Sequence, residues 1–317
     1  MDLSTMTYER DGRIARITLD RPERGNGITL EMPRELAACV ERANLDPEVH
    51  VIALAGNGSG FCGGYDLVES AEQSHRGATT APPASSASRP GAAGSGEGRP
   101  SGSPLEPATI AANHDPGAVW DPVVDYQMMS RNVRGFMSLF WSEKPVICKV
   151  HGYCVAGGTD MALCSDLLVV EDEAKIGYPP ARVWGVPTTA LWAHRVGVGR
   201  AKRLLLTGDS ISGAEALEWG LATEAAPAAQ LGARFDALCA RVALLPVNQL
   251  VMHKLLVNQA VASSGLHATQ VLGTFFDGIA RHTPEGFEWA RRAAETGFKQ
   301  AVRERDDPFD DFGLRPG

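Results

Sequence analysis

The sequence predicts an α/β fold that gives way to an all-helical C-terminal region, and three observations predict it. Short apolar runs bounded by glycine and proline alternate with amphipathic stretches over roughly the first 225 residues. Two of those runs, residues 49–55 and 145–150, each lead into a glycine-rich turn. Beyond about residue 225 the apolar spacing is helical throughout.

In order, residues 7–10 and 13–19 are β-leaning runs around Asp11-Gly12, a two-residue hairpin signal. Residues 20–27, DRPERGNG, form a polar loop. Residues 30–43 carry Leu36, Val40 and Ala43 at helical spacing, which predicts an amphipathic helix. VHVIALA over 49–55 reads as a strand, and GNGSGFCGGYDL over 56–67 as the glycine-rich turn after it. From 76 to 107 large apolar residues vanish and Gly, Pro, Ser and Ala dominate, which predicts a flexible insertion. Residues 126–141 return to a helical face of Met129, Val133, Phe136, Met137 and Phe140. The stretch 144–171, KPVICKVHGYCVAGGTDMALCSDLLVVE, reads as buried strand, glycine turn, helix opened by Thr159-Asp160, and a further buried strand over 166–170. Residues 174–187 are a short strand and a loop rich in proline and aromatics. Helical pieces are expected at 189–196, 201–206 and 212–219, then longer helices at 231–243, 247–262, 265–281 and 284–295. The charged tail from Arg303 is expected to fray.

The 317 residues, 44% hydrophobic and 21% charged, are enough to bury a sizeable core. A net charge of −8 with no basic stripe argues against nucleic acid as a partner. An apolar leader core and any run of 18 apolar residues are lacking, which predicts a cytoplasmic protein with no membrane span. The six cysteines, Cys39, Cys62, Cys148, Cys154, Cys164 and Cys239, form no C-x-x-C pair and several lie in apolar runs. They read as reduced, buried thiols, so neither a disulfide frame nor a metal site is expected. Gly56-x-Gly58 is followed by Phe61 and Gly197-x-Gly199 by Lys202, so neither completes a dinucleotide fingerprint, and no P-loop lysine pattern occurs.

The turn at Ala156-Gly157-Gly158 has a chemical reading. A helix N-terminus leaves unpaired N–H donors and carries a positive dipole end, so it suits a developing negative charge. The same glycines also suit simple close packing of helix on strand, and the turn alone does not choose between the two.

The combination of LDRPERGNGI, GSGFCGGYDL, KPVICKVHGYCVAGGTDMAL, AKIGYPPARVWGVP, RAKRLLLTGDSISGAEALEWGLA and HTPEGFEWARR resembles the crotonase (enoyl-CoA hydratase/isomerase) family. The resemblance covers nearly the whole chain apart from the insertion. It implies a spiral of ββα units over 1–225, interrupted at about 70–125, and a helical oligomerisation region over 226–317 that builds a homotrimer or a dimer of trimers. It implies an acyl-CoA thioester as substrate, with coenzyme A part of that substrate and no separate cofactor. The family's oxyanion hole falls on the backbone N–H groups of Tyr65 and Gly157. Two such donors suit a thioester enolate, and each is typically worth about 3 kcal/mol.

The two glutamates of the family's hydratases fall on Asp160 and Pro180. One acid is therefore shorter by about 1.5 Å and the other is absent, and misplacement on the order of 1 Å can cost about 100-fold. The dienoyl-CoA isomerase branch shares an Asp at the first position but keeps further acids where residues 174–189 have none. Isomerisation with Asp160 as the single acid/base is therefore expected over two-carboxylate hydration. Hydrolysis or C–C cleavage of a specialised acyl-CoA, and non-catalytic acyl-CoA binding, are the alternatives. Arg21 and Arg24 lie in the loop that in the family approaches coenzyme A. Gly64, Asp66 and Leu67 flank Tyr65, with Asp66 either facing the acyl pocket or bracing the turn. Tyr178, Pro180, Arg182 and Trp184 are expected to line the pocket. Asp166, His151, Cys62 and Cys154 read as structural residues, 76–107 as a surface loop, and 120–141 as a pocket wall.

Overall fold

The structure, a computed structural model, describes residues 2–66 and 102–310. Strands β1 (Met6–Asp11) and β2 (Ile14–Leu19) form an antiparallel hairpin. Its turn is Gly12-Arg13 rather than Asp11-Gly12, because Asp11 pairs directly with Ile14. Helix α1 (Met32–Leu45) crosses over and β3 (Val51–Gly56) joins β2 in parallel. Helices α2 (Pro107–Asn113) and α3 (Pro122–Trp141) precede β4 (Val146–Val150), β5 (Tyr153–Val155), α4 (Gly157–Ala162), β6 (Leu167–Glu171) and β7 (Lys175–Gly177). Then come α5 (Trp192–Thr207), β8 (Ser210–Ile211), α6 (Gly213–Glu218) and β9 (Glu224–Ala226). Helices α7 (Ala228–Ala243), α8 (Val247–Ser263), α9 (Leu266–Arg281), α10 (Pro284–Thr296) and α11 (Phe298–Asp306) complete the described chain.

The strands make a six-stranded sheet in the order β1-β2-β3-β4-β6-β9, parallel beyond the hairpin, and a small sheet β5-β7-β8. Every residue of β3 is buried, as its unbroken apolar run requires. One sheet face packs under Leu36, Cys39 and Val40 of α1 and Phe136 and Phe140 of α3. The other face packs under Leu231, Phe235 and Cys239 of α7. Among the described residues no single helix is long and apolar enough to cross a membrane.

Several boundaries differ from the sequence expectation for identifiable reasons. Helix α3 starts at Pro122 because the Asp121 side chain caps it, accepting from the Val123 N–H at 2.9 Å. Helix α4 starts at Gly157 rather than at Thr159, which puts the Gly157 N–H in the first turn. Helix α5 is broken at Gly197, where φ is 77° and ψ 162°. The tail does not fray at Arg303: α11 runs through it, and Asp306 is held by Arg182 at 3.0 Å. Of the expected flexible insertion, residues 76–101 lie outside the described residues.

The two glycine-rich turns are tied to each other backbone to backbone. The Phe61 N–H donates to the Tyr153 carbonyl at 2.9 Å, and the Val155 N–H donates to Cys62 at 3.1 Å. His151 Nε2 stands 2.9 Å from the Gly58 carbonyl. Gly152, at φ +57°, runs so close to the first turn that a Cβ there would sit 1.9 Å from the Ser59 oxygen. Gly152→Ala is expected to lower stability by about 2 kcal/mol or more, since it combines left-handed strain with a backbone clash. Urea unfolding measures this, and an unchanged midpoint would show that the turns are not locked together.

Candidate active site

The pairing of Ile28 with Tyr65 sets the first donor. The Ile28 N–H donates to Gly64 O at 2.8 Å, and the Asp66 N–H donates to Ile28 O at 3.0 Å. Both flanking peptide groups are thereby used. Among the described residues the Tyr65 N–H donates to nothing. In the second turn the Ala156 N–H donates to Gly177 O at 3.0 Å, and Thr159 and Asp160 donate back to Ala156 O. The Gly157 N–H likewise has no acceptor among the described residues. The two turns touch: a Cβ on Gly64 would lie 3.5 Å from Gly157 N, and one on Gly157 would lie 2.8 Å from Tyr65 Cε2.

One helical turn after Gly157, Asp160 is buried to 1% exposure. Its Oδ1 accepts from both the N–H of Thr189, at 2.9 Å, and the Thr189 hydroxyl, at 2.6 Å. Its Oδ2 is buried with no hydrogen-bond partner among the described residues. Burial pushes this carboxyl up to about 7, against the pull of the two Thr189 donors and with a further push from the charge of Asp277. A carboxyl held by one oxygen, with the other unengaged and titrating near neutrality, is suited to general acid–base work.

Two phenols share this interior. Tyr178 is buried and its hydroxyl donates to Val186 O at 2.9 Å. The Tyr65 hydroxyl is buried with no aligned hydrogen-bond partner. Burial pushes both phenols well up, and Asp160 and Asp277 add to the push. Pro180 is half-buried and closes a tight turn, its carbonyl accepting from Val183, Trp184 and Gly185. The buried Trp184 Nε1 has no acceptor, and its ring lies 5.6 Å from that of Trp289.

Arg182 stands elsewhere than the expected pocket wall. It clamps the end of α5 to the C-terminal residues, bonded to Thr207 O at 3.1 Å, Asp209 at 3.3 Å and Asp306 at 3.0 Å, with its guanidinium 4.5 Å over the Phe309 ring. Asp66 Oδ2 lies 3.1 Å from Arg21 and 3.6 Å from Arg24, so this carboxylate braces the loop that carries both arginines. Leu67 lies outside the described residues. Asp166 accepts from Val146 N–H at 2.6 Å and pairs with Lys254 at 2.8 Å, fixing the start of β4. The Cys62 thiol donates to Asn26 O at 3.1 Å and burial pushes it up to about 12, while Cys154 is pushed well up in the same way. Neither is a ready thiolate.

Sequence reasoning missed Thr189 and Asp277, which no short motif links to Asp160. It also missed a polar cluster behind α9. Among the described residues His114, Asp125 and His282 bring ligand-capable atoms within 4.8 Å of one another. However, His282 turns its two ring nitrogens toward carbonyl oxygens of the fold, Gly278 O at 2.8 Å and Asn113 O at 3.0 Å, rather than toward a shared centre. Asp125 accepts from His114, Asn113, Trp120 and Arg281 at 2.7–3.0 Å. The trio is a hydrogen-bonded clamp between α2, α3 and α9.

Comparison with known proteins follows the same regions. A family model described as enoyl-CoA hydratase/isomerase matches residues 9–87 and 122–283. A crystal structure of an enoyl-CoA hydratase from Mycobacterium smegmatis superposes with a TM-score of 0.86 at 52% identity, covering 98% of this chain and 96% of that one. A Mycobacterium tuberculosis protein bearing the name enoyl-CoA hydratase EchA13 is 30% identical over 267 residues, 81% of this chain and 74% of its own. The (E)-benzylidenesuccinyl-CoA hydratase of Thauera aromatica is 27% identical over 223 residues, 69% of this chain and 68% of its own.

The raised Asp160 carboxyl makes a stability prediction. Its proton is held more tightly in the fold than in the unfolded chain, so the stability it contributes is lost as pH rises from about 4 to about 7. Asp160→Asn removes the cost of burying the charge. The variant should unfold at higher urea than the wild type at pH 8, by about 2 to 4 kcal/mol, and should match it near pH 4. An Asn variant no more stable at pH 8 would show that the buried carboxylate is fully compensated.

Proposed function

The chain belongs to the enoyl-CoA hydratase/isomerase family, and from that premise we propose that it works on the enolate of an acyl-CoA thioester, with Asp160 as acid/base. The observation that carries the reading is the contact between two turns whose Tyr65 and Gly157 N–H groups have no acceptor among the described residues, one helical turn from a carboxyl with one oxygen unengaged among them. A thioester oxygen placed between these donors gains stabilisation as it becomes an enolate oxygen. Asp160 Oδ2 takes a proton from the carbon next to the carbonyl, and the same group returns it to a different carbon. One carboxylate suffices for this double-bond shift. Tyr178, Pro180 and Trp184 are the side chains assigned to the acyl end, and Arg24 to the coenzyme A end.

Two measurements test the reading. Wild-type protein in D2O should exchange the α-protons of a saturated acyl-CoA and should isomerise 3-enoyl-CoA. Asp160→Asn should lower both rates by about 1,000-fold, within the usual worth of a general acid–base group. Tight acyl-CoA binding with no exchange and no turnover would favour the reading as a non-catalytic binder, which the proline at 180 motivates.

The helical region is assigned to self-association. Leu244 in the turn after α7 and Met252, Leu255, Leu256 and Val257 on α8 are all exposed, a density of apolar side chains that marks an interaction surface. Sedimentation should give a trimer or a dimer of trimers; a monomer at micromolar concentration would contradict this assignment.

A further inference from the structure

We propose that Asp277 of α9 is the second acid–base carboxylate of this site, acting with Asp160 on a 2-enoyl thioester and activating water at its β-carbon. The inference rests on the reading above that an acyl thioester occupies the two turns.

The segment 186–189 places the two acids together. Thr189 holds Asp160 through its N–H and hydroxyl, and the Val186 N–H faces Asp277. Helix α9 is pressed onto the same segment. Gln270 donates to Thr189 O at 3.0 Å, and a Cβ on Gly273 would lie 3.4 Å from Pro187 O. Asp277 follows one turn after Gly273 and is 5% exposed. Each of Asp160, Tyr65 and Tyr178 feels the charge of Asp277.

Two carboxylates of this region differ in how they are satisfied. Asp125, on α3, accepts from four side chains and is a finished structural pair. Asp277 is not. Arg281 stands 3.1 Å from its Oδ2 but out of hydrogen-bond alignment, and that oxygen is buried without a hydrogen bond among the described residues. Arg281 is also engaged with Asp125, at 3.0 Å. The groups facing Asp277 are thus Asp125 from α3, Arg281 from its own helix, Asp160 from α4, Tyr65 from the first turn and Tyr178 from the second loop. Unsatisfied buried carboxyl oxygens concentrate where chemistry is done.

Asp277 carboxylate takes one proton from water while the water oxygen bonds to the β-carbon. The double-bond electron pair moves to the thioester oxygen, held by the Tyr65 and Gly157 N–H groups. The enolate then takes a proton at its α-carbon from the Asp160 acid. Asp277 ends protonated and Asp160 ionised, and transfer of that proton between the pair restores the site. Asp160 takes the α-carbon because it shares a helix with the Gly157 donor that holds the carbonyl, which leaves the β-carbon to Asp277.

The test compares hydration of crotonyl-CoA with α-proton exchange of butyryl-CoA in D2O. Exchange needs the two turns and Asp160, whereas hydration also needs Asp277. In Asp277→Asn the ratio of hydration to exchange should fall about 100-fold. A ratio equal to wild type overturns the proposal, as does wild-type protein that exchanges but does not hydrate. Loss of both activities in the wild type would instead refute the thioester reading itself. Should Asp277→Asn not fold, Asp277→Glu, which keeps the acid and moves it, decides by the same ratio: a shifted ratio supports the role and an unshifted one overturns it.

Discussion

The contact of two chain reversals is the constraint on which the rest of the structure depends. Residues 58–66 and 151–158 lie backbone to backbone, bonded through Phe61 to Tyr153 and Val155 to Cys62. Side chains would prevent it: a Cβ at Gly158 would stand 2.5 Å from Cys62 O, and one at Gly60 2.5 Å from the Tyr153 ring. Parallel β3 and β4 deliver the two reversals to the same end of the sheet. The glycines bring them into contact there. Bonds to Ile28 and Gly177 use the peptide groups around Tyr65 and Gly157 and, among the described residues, spare the N–H groups of those two residues. Preorganised donors of this kind need no rearrangement when charge develops.

Burial does the remaining electrostatic work. A carboxylate enclosed in protein loses the water that stabilises its charge, and it is kept ionised only by donors or cations. Asp125 receives four donors and is held below the usual carboxylate range. Asp160 receives donors on one oxygen, and burial prevails. Asp277 has Arg281 close by, yet burial still pushes it up. The same interior therefore contains one carboxylate held below the usual range and two that burial pushes above it. The division follows from how many donors reach each oxygen.

Much of this was legible in the sequence because it is local. Strands β3 and β4 announce themselves as apolar runs, and the face of Met129, Val133, Phe136, Met137 and Phe140 is buried as its spacing predicts. The positions of Tyr65, Gly157 and Asp160 follow from turns read in sequence. What was illegible is long-range. Strands β8 and β9, of two and three residues, are shorter than any pattern that periodicity can register. Arg182 sits in the expected loop, but its direction is decided by Asp209 and Asp306, and the sequence around it carries no sign of either. Thr189 and Asp277 reach Asp160 only because α9 folds back onto the loop before α5. Pro180 leaves no second acid in the local sequence, and local sequence carries no sign that Asp277 of a distant helix comes within electrostatic reach of Asp160.

The most direct measurement concerns the carbonyl itself. An acyl-CoA labelled with 13C at the thioester carbon can be followed by infrared difference spectroscopy on binding. If the N–H groups of Tyr65 and Gly157 both donate to that oxygen, the C=O stretch moves to lower wavenumber in the complex than in water. A bound ligand whose carbonyl band stays at its solution position, or moves up, would contradict the convergence of the two donors on one oxygen.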